Sequence, residues 1–262
     1  MAFPPERIVC LTEETVETLY LLGQQDRIVG VSGYAVRPPG VRREKPRVSA
    51  FTSADIPKVM ALKPDLVLTF SDLQADIAAA LLREGVAVYG FNQRGLAGIF
   101  DMIETLGALT GCEDAAKALT RGYRARLEGL RKAAPAKGLT VYFEEWDAPM
   151  ISGIGWVSEL IEATGARDVF AALAPEQAAT NRIVTPAQVI DARPDVILAS
   201  WCGKKVRPER IIARPGWEAI PAVANRRIHE IKSSLILQPG PACLTDGLDA
   251  MLASLAPGWR WR

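Results

Sequence analysis

The chain has 262 residues, 49% of them hydrophobic and 23% charged, with a formal net charge of +1. That balance belongs to a globular protein with length enough for two lobes and a buried core. A near-neutral charge lacks the basic surplus selected by nucleic acid or an anionic membrane surface, so those partners are excluded.

In chain order, the opening residues Met1 to Gly23 show no basic segment leading into an apolar run and a small-residue cleavage site, and nothing later approaches a membrane span. A cytoplasmic location is therefore expected, or a periplasmic one where a signal peptide has been removed. After Arg7-Ile-Val, the stretch Glu17 to Gly23 reads as an amphipathic helix closed by glycine, followed by a short strand Ile28 to Val31. Residues 56–69 then read Ile-Pro-Lys-Val-Met-Ala-Leu-Lys-Pro-Asp-Leu-Val-Leu-Thr, and residues 186–199 repeat the phrase as Pro-Ala-Gln-Val-Ile-Asp-Ala-Arg-Pro-Asp-Val-Ile-Leu-Ala. Proline stops each helix, and the apolar run after it has the length of a buried parallel strand.

A further strand is expected at Val86 to Tyr89. Residues 113–134, rich in alanine, leucine and arginine and free of proline, predict a helix of roughly 33 Å. The second half opens with a strand at Leu139 to Phe143 and repeats the glycine-closed helix at Glu159 to Gly165, followed by a strand at Arg167 to Phe170. The expected fold is α/β: two similar lobes with small parallel sheets flanked by helices, residues 1–112 and 135–262, joined by the long helix 113–134, with a ligand cleft between the lobes.

Enzyme chemistry finds little support. His229 is the single histidine, in an alternating stretch that reads as a strand, and no Gly-x-Ser-x-Gly elbow accompanies it. One imidazole cannot build a multi-histidine zinc site, so no metal site or required cofactor is expected. The four cysteines, Cys10, Cys112, Cys202 and Cys243, have no Cys-x-x-Cys spacing; whether Cys202 meets a metal stays open. Phosphate loops are absent; Gly153-Ile-Gly155 lacks the third glycine of a dinucleotide turn.

Aromatic and polar residues instead gather at predicted strand ends, where parallel sheets collect ligands. Phe70 and Trp201 end the two phrase strands, Phe91 and Asn92 follow the third strand, and Glu144-Glu145-Trp146-Asp147 follows Phe143. The acidic cluster suits amide or amine groups of a ligand, or a solvated turn before Pro149. Lys204 and Lys205 follow Trp201 toward a helix start, a place for an anion or a plain surface rim. Leu235 to Gly240, with Gln238, reads as a rigid loop before a terminal helix beginning near Leu244.

The phrase Val59 to Val67, the opening Arg7-Ile-Val, the helix ending at Gly23, and Tyr34 with Pro38-Pro39 resemble the cobalamin- and siderophore-binding proteins of bacterial ABC importers, across nearly the whole chain. The resemblance implies non-catalytic binding of a large planar ligand, a corrinoid first, with haem or a ferric siderophore as the alternative. By position, Tyr34, Phe51, Phe70, Met150 and Trp201 match the aromatic walls of the cobalamin-binding members. The late polar pair of those proteins falls in the uncharged stretch 235–240. Importer subunits also carry a permease-docking glutamate on each lobe; the matching positions here hold Pro57 and Ala187, with Asp55 nearby in the first lobe only. A cytoplasmic carrier or sensor derived from an importer subunit therefore stands beside the importer role. An enzyme using Glu144, Glu145 and Asp147 as acid or base is the reading from another class.

Overall fold

The structure, a computed structural model, describes residues 3–261 and divides into two compact units. One runs to Gln93 and resumes over Ala97–Gly122; the other takes Arg94–Leu96 and the chain from Tyr123 onward.

The first unit contains β1 (Ile8–Cys10), α1 (Glu13–Leu21), β2 (Ile28–Ser32), α2 (Val41–Glu44), β3 (Arg47–Ser49), α3 (Ile56–Ala61), β4 (Leu66–Phe70), α4 (Ala75–Arg83) and β5 (Val88–Phe91). Its sheet has the order β3-β2-β1-β4-β5, every pair parallel. The winding reverses between β1 and β4, the position where open α/β sheets leave a crevice at their carboxyl ends. Val9, Leu11, Val48, Val59, Val67 and Leu81 pack into one apolar cluster of this unit. β5 begins two residues later than the sequence suggested, which places Phe91 inside the strand.

Next come α5 (Leu96–Thr110) and α6 (Glu113–Ala133), and the division between units falls within α6. Glu113 and Asp114 in its first turn and Arg131 and Lys132 in its last complement the helix dipole. A helix expected over residues 113–134 is present over Glu113–Ala133.

The second unit holds β6 (Thr140–Asp147), β7 (Met150–Ser152), α7 (Gly155–Ala163), β8 (Arg167–Asp168), α8 (Pro186–Ala192), β9 (Val196–Ala199), α9 (Pro208–Ile212), α10 (Pro221–Ala224), β10 (Ile228–Glu230), α11 (Ser233–Ile236), α12 (Pro241–Leu244) and α13 (Asp246–Leu255). β6 pairs in parallel with β9 and β8, and β9 with β10, reproducing the winding of the first unit. β7 is the exception, pairing antiparallel with the end of β6. Here the structure departs from the sequence reading: β6 continues four residues past Phe143, so the acidic cluster lies inside a strand and its hairpin. The stretch 235–240 also differs, ending α11 and turning into α12.

The repeated phrase does the same work in both units. Lys63 and Arg193 end α3 and α8 in the left-handed conformation, with φ of 48° and 46°, immediately before the prolines. The aspartates that follow bind the beginning of the first strand of their own sheet. Asp65 accepts the N–H groups of Glu6 and Arg7 at 2.8 and 3.0 Å. Asp195 accepts the N–H and hydroxyl of Thr140 at 2.9 and 2.8 Å.

Candidate functional site

In the second unit the carboxyl ends of β6 and β9 carry the densest chemistry. Past β9, Ser200 extends the ladder by donating its N–H to Glu144 O at 2.9 Å, which brings Trp201 beside the end of β6. Trp201 is buried, and its indole N–H donates to Glu144 Oε1 at 3.0 Å. Glu144 is fully buried and also receives both terminal nitrogens of Arg214 and the Tyr142 hydroxyl. The Arg214 guanidinium lies 4.5 Å from the Trp217 ring centroid, and Tyr142 meets Trp217 edge-on. Burial, then the Glu144 charge, pushes the Tyr142 phenol well above its ordinary pKa. This network fixes the orientation of Trp201.

Glu145 turns to the other side of β6, where Arg182 grips both its oxygens at 2.7 and 3.1 Å and also binds the Ser152 carbonyl. Asp147 points toward Lys204, which donates to its Oδ1, while Arg210 approaches Oδ2 at 3.5 Å. Burial raises the Asp147 carboxyl, but the Lys204 bond and charge outweigh it and hold its pKa below the ordinary value. The Lys204 ammonium sits 3.9 Å from the Trp146 ring centroid and 5.1 Å from that of Trp201. Two indoles, one carboxylate and two cations thus meet at one sheet end. Met150 is buried opposite Asp147 in the hairpin, and Gln238 is half-buried in the turn after α11, outside this group.

The first unit presents its own carboxyl edge. Tyr34 is 54% exposed and Phe51 37%, whereas Phe70 and Phe91 are buried. Gln74, buried in the turn after β4, ties three of these segments together: its amide donates to Phe51 O at 2.8 Å and to Leu11 O, and its oxygen accepts the Phe70 N–H at 2.9 Å. At the start of α1, Glu13, Glu14 and Glu17 are all buried. Burial, then the neighbouring Glu14 and Glu17 charges, pushes the Glu13 carboxyl up to about 8; burial pushes Glu14 up to about 7.

Gln74, Arg182, Arg210 and Arg214 escaped the sequence reading. Each lies in a turn or short helix, with no spacing that announces a partner. Gln74 left the one usable trace, a Ser-x-x-Gln turn directly after an apolar strand. His229 lies in β10 as expected, and burial, with Arg227 nearby, lowers its pKa. Among the described residues no group of three or more His, Cys, Asp or Glu is placed to hold a metal. No described helix is long and apolar enough to cross a membrane.

A twice-repeated α/β winding with aromatic and charged side chains collected at sheet carboxyl ends is the build of a binding protein for small molecules. The chain belongs to the periplasmic binding protein family, whose pattern matches residues 8–235. The vitamin B12-binding protein of Vibrio cholerae is 28% identical, the match covering 92% of this chain and 86% of that protein. An uncharacterized ABC transporter substrate-binding lipoprotein of Bacillus subtilis is 25% identical over 97% of this chain and 81% of its own. Among solved structures, the periplasmic vitamin B12 binding protein of Vibrio cholerae superposes with a TM-score of 0.75 at 26% identity, covering 97% of this chain and 98% of that one. A periplasmic heme binding protein from Pseudomonas aeruginosa reaches 0.82 at 20% identity, covering 98% and 94%, a likeness of fold alone.

Proposed function

We propose that the protein binds a corrinoid reversibly and without catalysis, requiring no cofactor of its own. The observation that carries this reading is the partly exposed Trp146 indole at the carboxyl end of the second sheet, backed by the buried Trp201, in a chain whose relatives include vitamin B12-binding proteins. A flat apolar face suits a macrocycle, and Lys204, seated over the Trp146 ring and paired with Asp147, is placed to meet its polar side groups. In the first unit Tyr34 and Phe51 are the exposed aromatics at that unit's own carboxyl edge, with Phe51 held in place by Gln74. Phe70, Phe91 and Met150 support these faces from within. Glu144 and Glu145 act by orienting, the first through Trp201 and the second through the β6–β7 hairpin.

The family's macromolecular partner is an ABC permease. Pro57 and Ala187 sit exposed in the first turns of α3 and α8, neither of which carries an acidic residue there, and Asp55 caps the first helix by accepting the Lys58 N–H. Neither helix therefore offers a glutamate for docking a permease. Compartment follows role: an importer subunit works outside the inner membrane, a carrier within the cytoplasm.

Titration with cyanocobalamin, cobinamide and haem, followed by absorbance and calorimetry, tests the reading. Saturable corrinoid binding tighter than about 100 µM, near 5.5 kcal/mol, is expected, with Trp146→Ala weakening it about tenfold. Absence of saturable corrinoid binding, or binding of haem alone, refutes it.

A further inference from the structure

The geometry points to a ligand that carries negative charge on its periphery, a corrinoid with free carboxylate or phosphate side groups, selected by Lys204 and Arg210. This rests on the corrinoid reading above and adds the charge of the ligand and a residue, Arg210, that the sequence did not single out.

The argument begins with how charges are shared in the second unit. Arg214 is spent on Glu144 and Arg182 on Glu145, each pair deep in the protein, with side-chain exposures of 16% against 0% and 2% against 17%. Arg207 has Glu209 at 3.6 Å. Asp147, by contrast, faces two cations, Lys204 on one oxygen and Arg210 on the other. One carboxylate between two cations leaves a positive surplus.

Exposure sets the order in which a ligand meets these groups. The Asp147 side chain is 6% exposed, Lys204 38% and Arg210 66%. An arriving molecule therefore encounters the cations, while their counter-ion lies beneath them. Lys204 lies over the partly exposed Trp146 indole, so a ring approaching that face brings its rim to the ammonium or pushes it aside. A neutral amide rim accepts hydrogen bonds from these groups, but only an anionic rim also neutralises the surplus charge. Asp147 then serves as an internal placeholder, holding the two cations in position and competing with the ligand's anion for them.

Two corrinoids with the same ring and axial cyanides but different rims, dicyanocobinamide with amides and dicyanocobyrinic acid with carboxylates, isolate this term. At about 50 mM salt the acid binds roughly tenfold tighter than the amide, and the gap narrows at about 500 mM salt, where exposed charges are screened. Lys204→Met and Arg210→Gln each weaken the acid about threefold to tenfold and shrink the acid-to-amide ratio, while Asp147→Asn enlarges it. Equal affinities for acid and amide, or a ratio unmoved by Lys204→Met and Arg210→Gln, overturn the inference and leave the corrinoid reading standing. Failure of both corrinoids to bind overturns the corrinoid reading, and the inference with it.

Discussion

Replacing Arg214 with methionine removes the cation from a fully buried carboxylate while keeping an apolar stem against Trp217. Glu144 then retains two neutral donors, the Trp201 indole at 3.0 Å and the Tyr142 hydroxyl at 3.3 Å. Breaking a buried ion pair from one side costs about 3–5 kcal/mol, because the charge left behind has lost its water as well as its partner. Arg214 is 16% exposed, so water reaches the vacated space and places the cost near 3 kcal/mol. Glu144→Gln leaves an acceptor for the indole and a guanidinium that reaches solvent, and costs about 1–2 kcal/mol. The double variant removes both charges and regains about 1–2 kcal/mol over the sum of the single losses. Urea unfolding gives the totals, and hydrogen exchange followed by mass spectrometry locates them: peptides of β6 and β9 lose protection while those of β1 and β4 hold. A loss under about 1 kcal/mol for Arg214→Met, the scale of an exposed pair, refutes this account, as does strict additivity in the double variant.

Three further outcomes are expected. Because the folded-state pKa of Glu13 lies near 8 and that of Glu14 near 7, above the carboxylate value of the unfolded chain, the folded state binds the extra protons and stability falls as pH rises from about 4.5 to 8. Glu13→Gln raises the urea midpoint at pH 8 and flattens that slope, even with Arg37 on Glu17 and Arg42 near Glu13; an unchanged slope contradicts the assignment. Asp195→Ala deletes two hydrogen bonds to Thr140 and costs the second unit about 2 kcal/mol, read as faster exchange in β6, with Asp65→Ala doing the same in β1. Gly155→Ala drives a methyl group into the Arg94 carbonyl, the acceptor for the Trp156 N–H, and lowers stability by about 1–3 kcal/mol in thermal unfolding.

Most of the fold was legible because its signals are local. A proline after an apolar helical stretch, a glycine at a helix end and a β-branched run each act within a few residues, so α3 and β4, α8 and β9, and the long α6 emerged nearly as expected. The end of β6 did not, because charged residues in a strand look like a turn unless their partners are known. Glu144 and Glu145 are tolerated there only because Arg214 and Arg182, 70 and 37 residues away, neutralise them. The same distance hid the site's cations. Lys204 was visible through its neighbour Trp201, whereas Arg210 lies in a five-residue helix whose sequence carries no ligand signal.

The aspartate clasps have a consequence for how the chain is made. Each joins residues of its own half across similar spans, 58 and 59 positions for Asp65 and 55 for Asp195. Closing loops of such similar length carries nearly the same entropic cost, so the two halves face matched searches. The first clasp needs nothing beyond Asp65, and a chain leaving the ribosome can close it well before Thr140 has been added. A defect in the second clasp therefore leaves the first half able to fold on schedule, and pulse-labelled synthesis would show its protection arriving first.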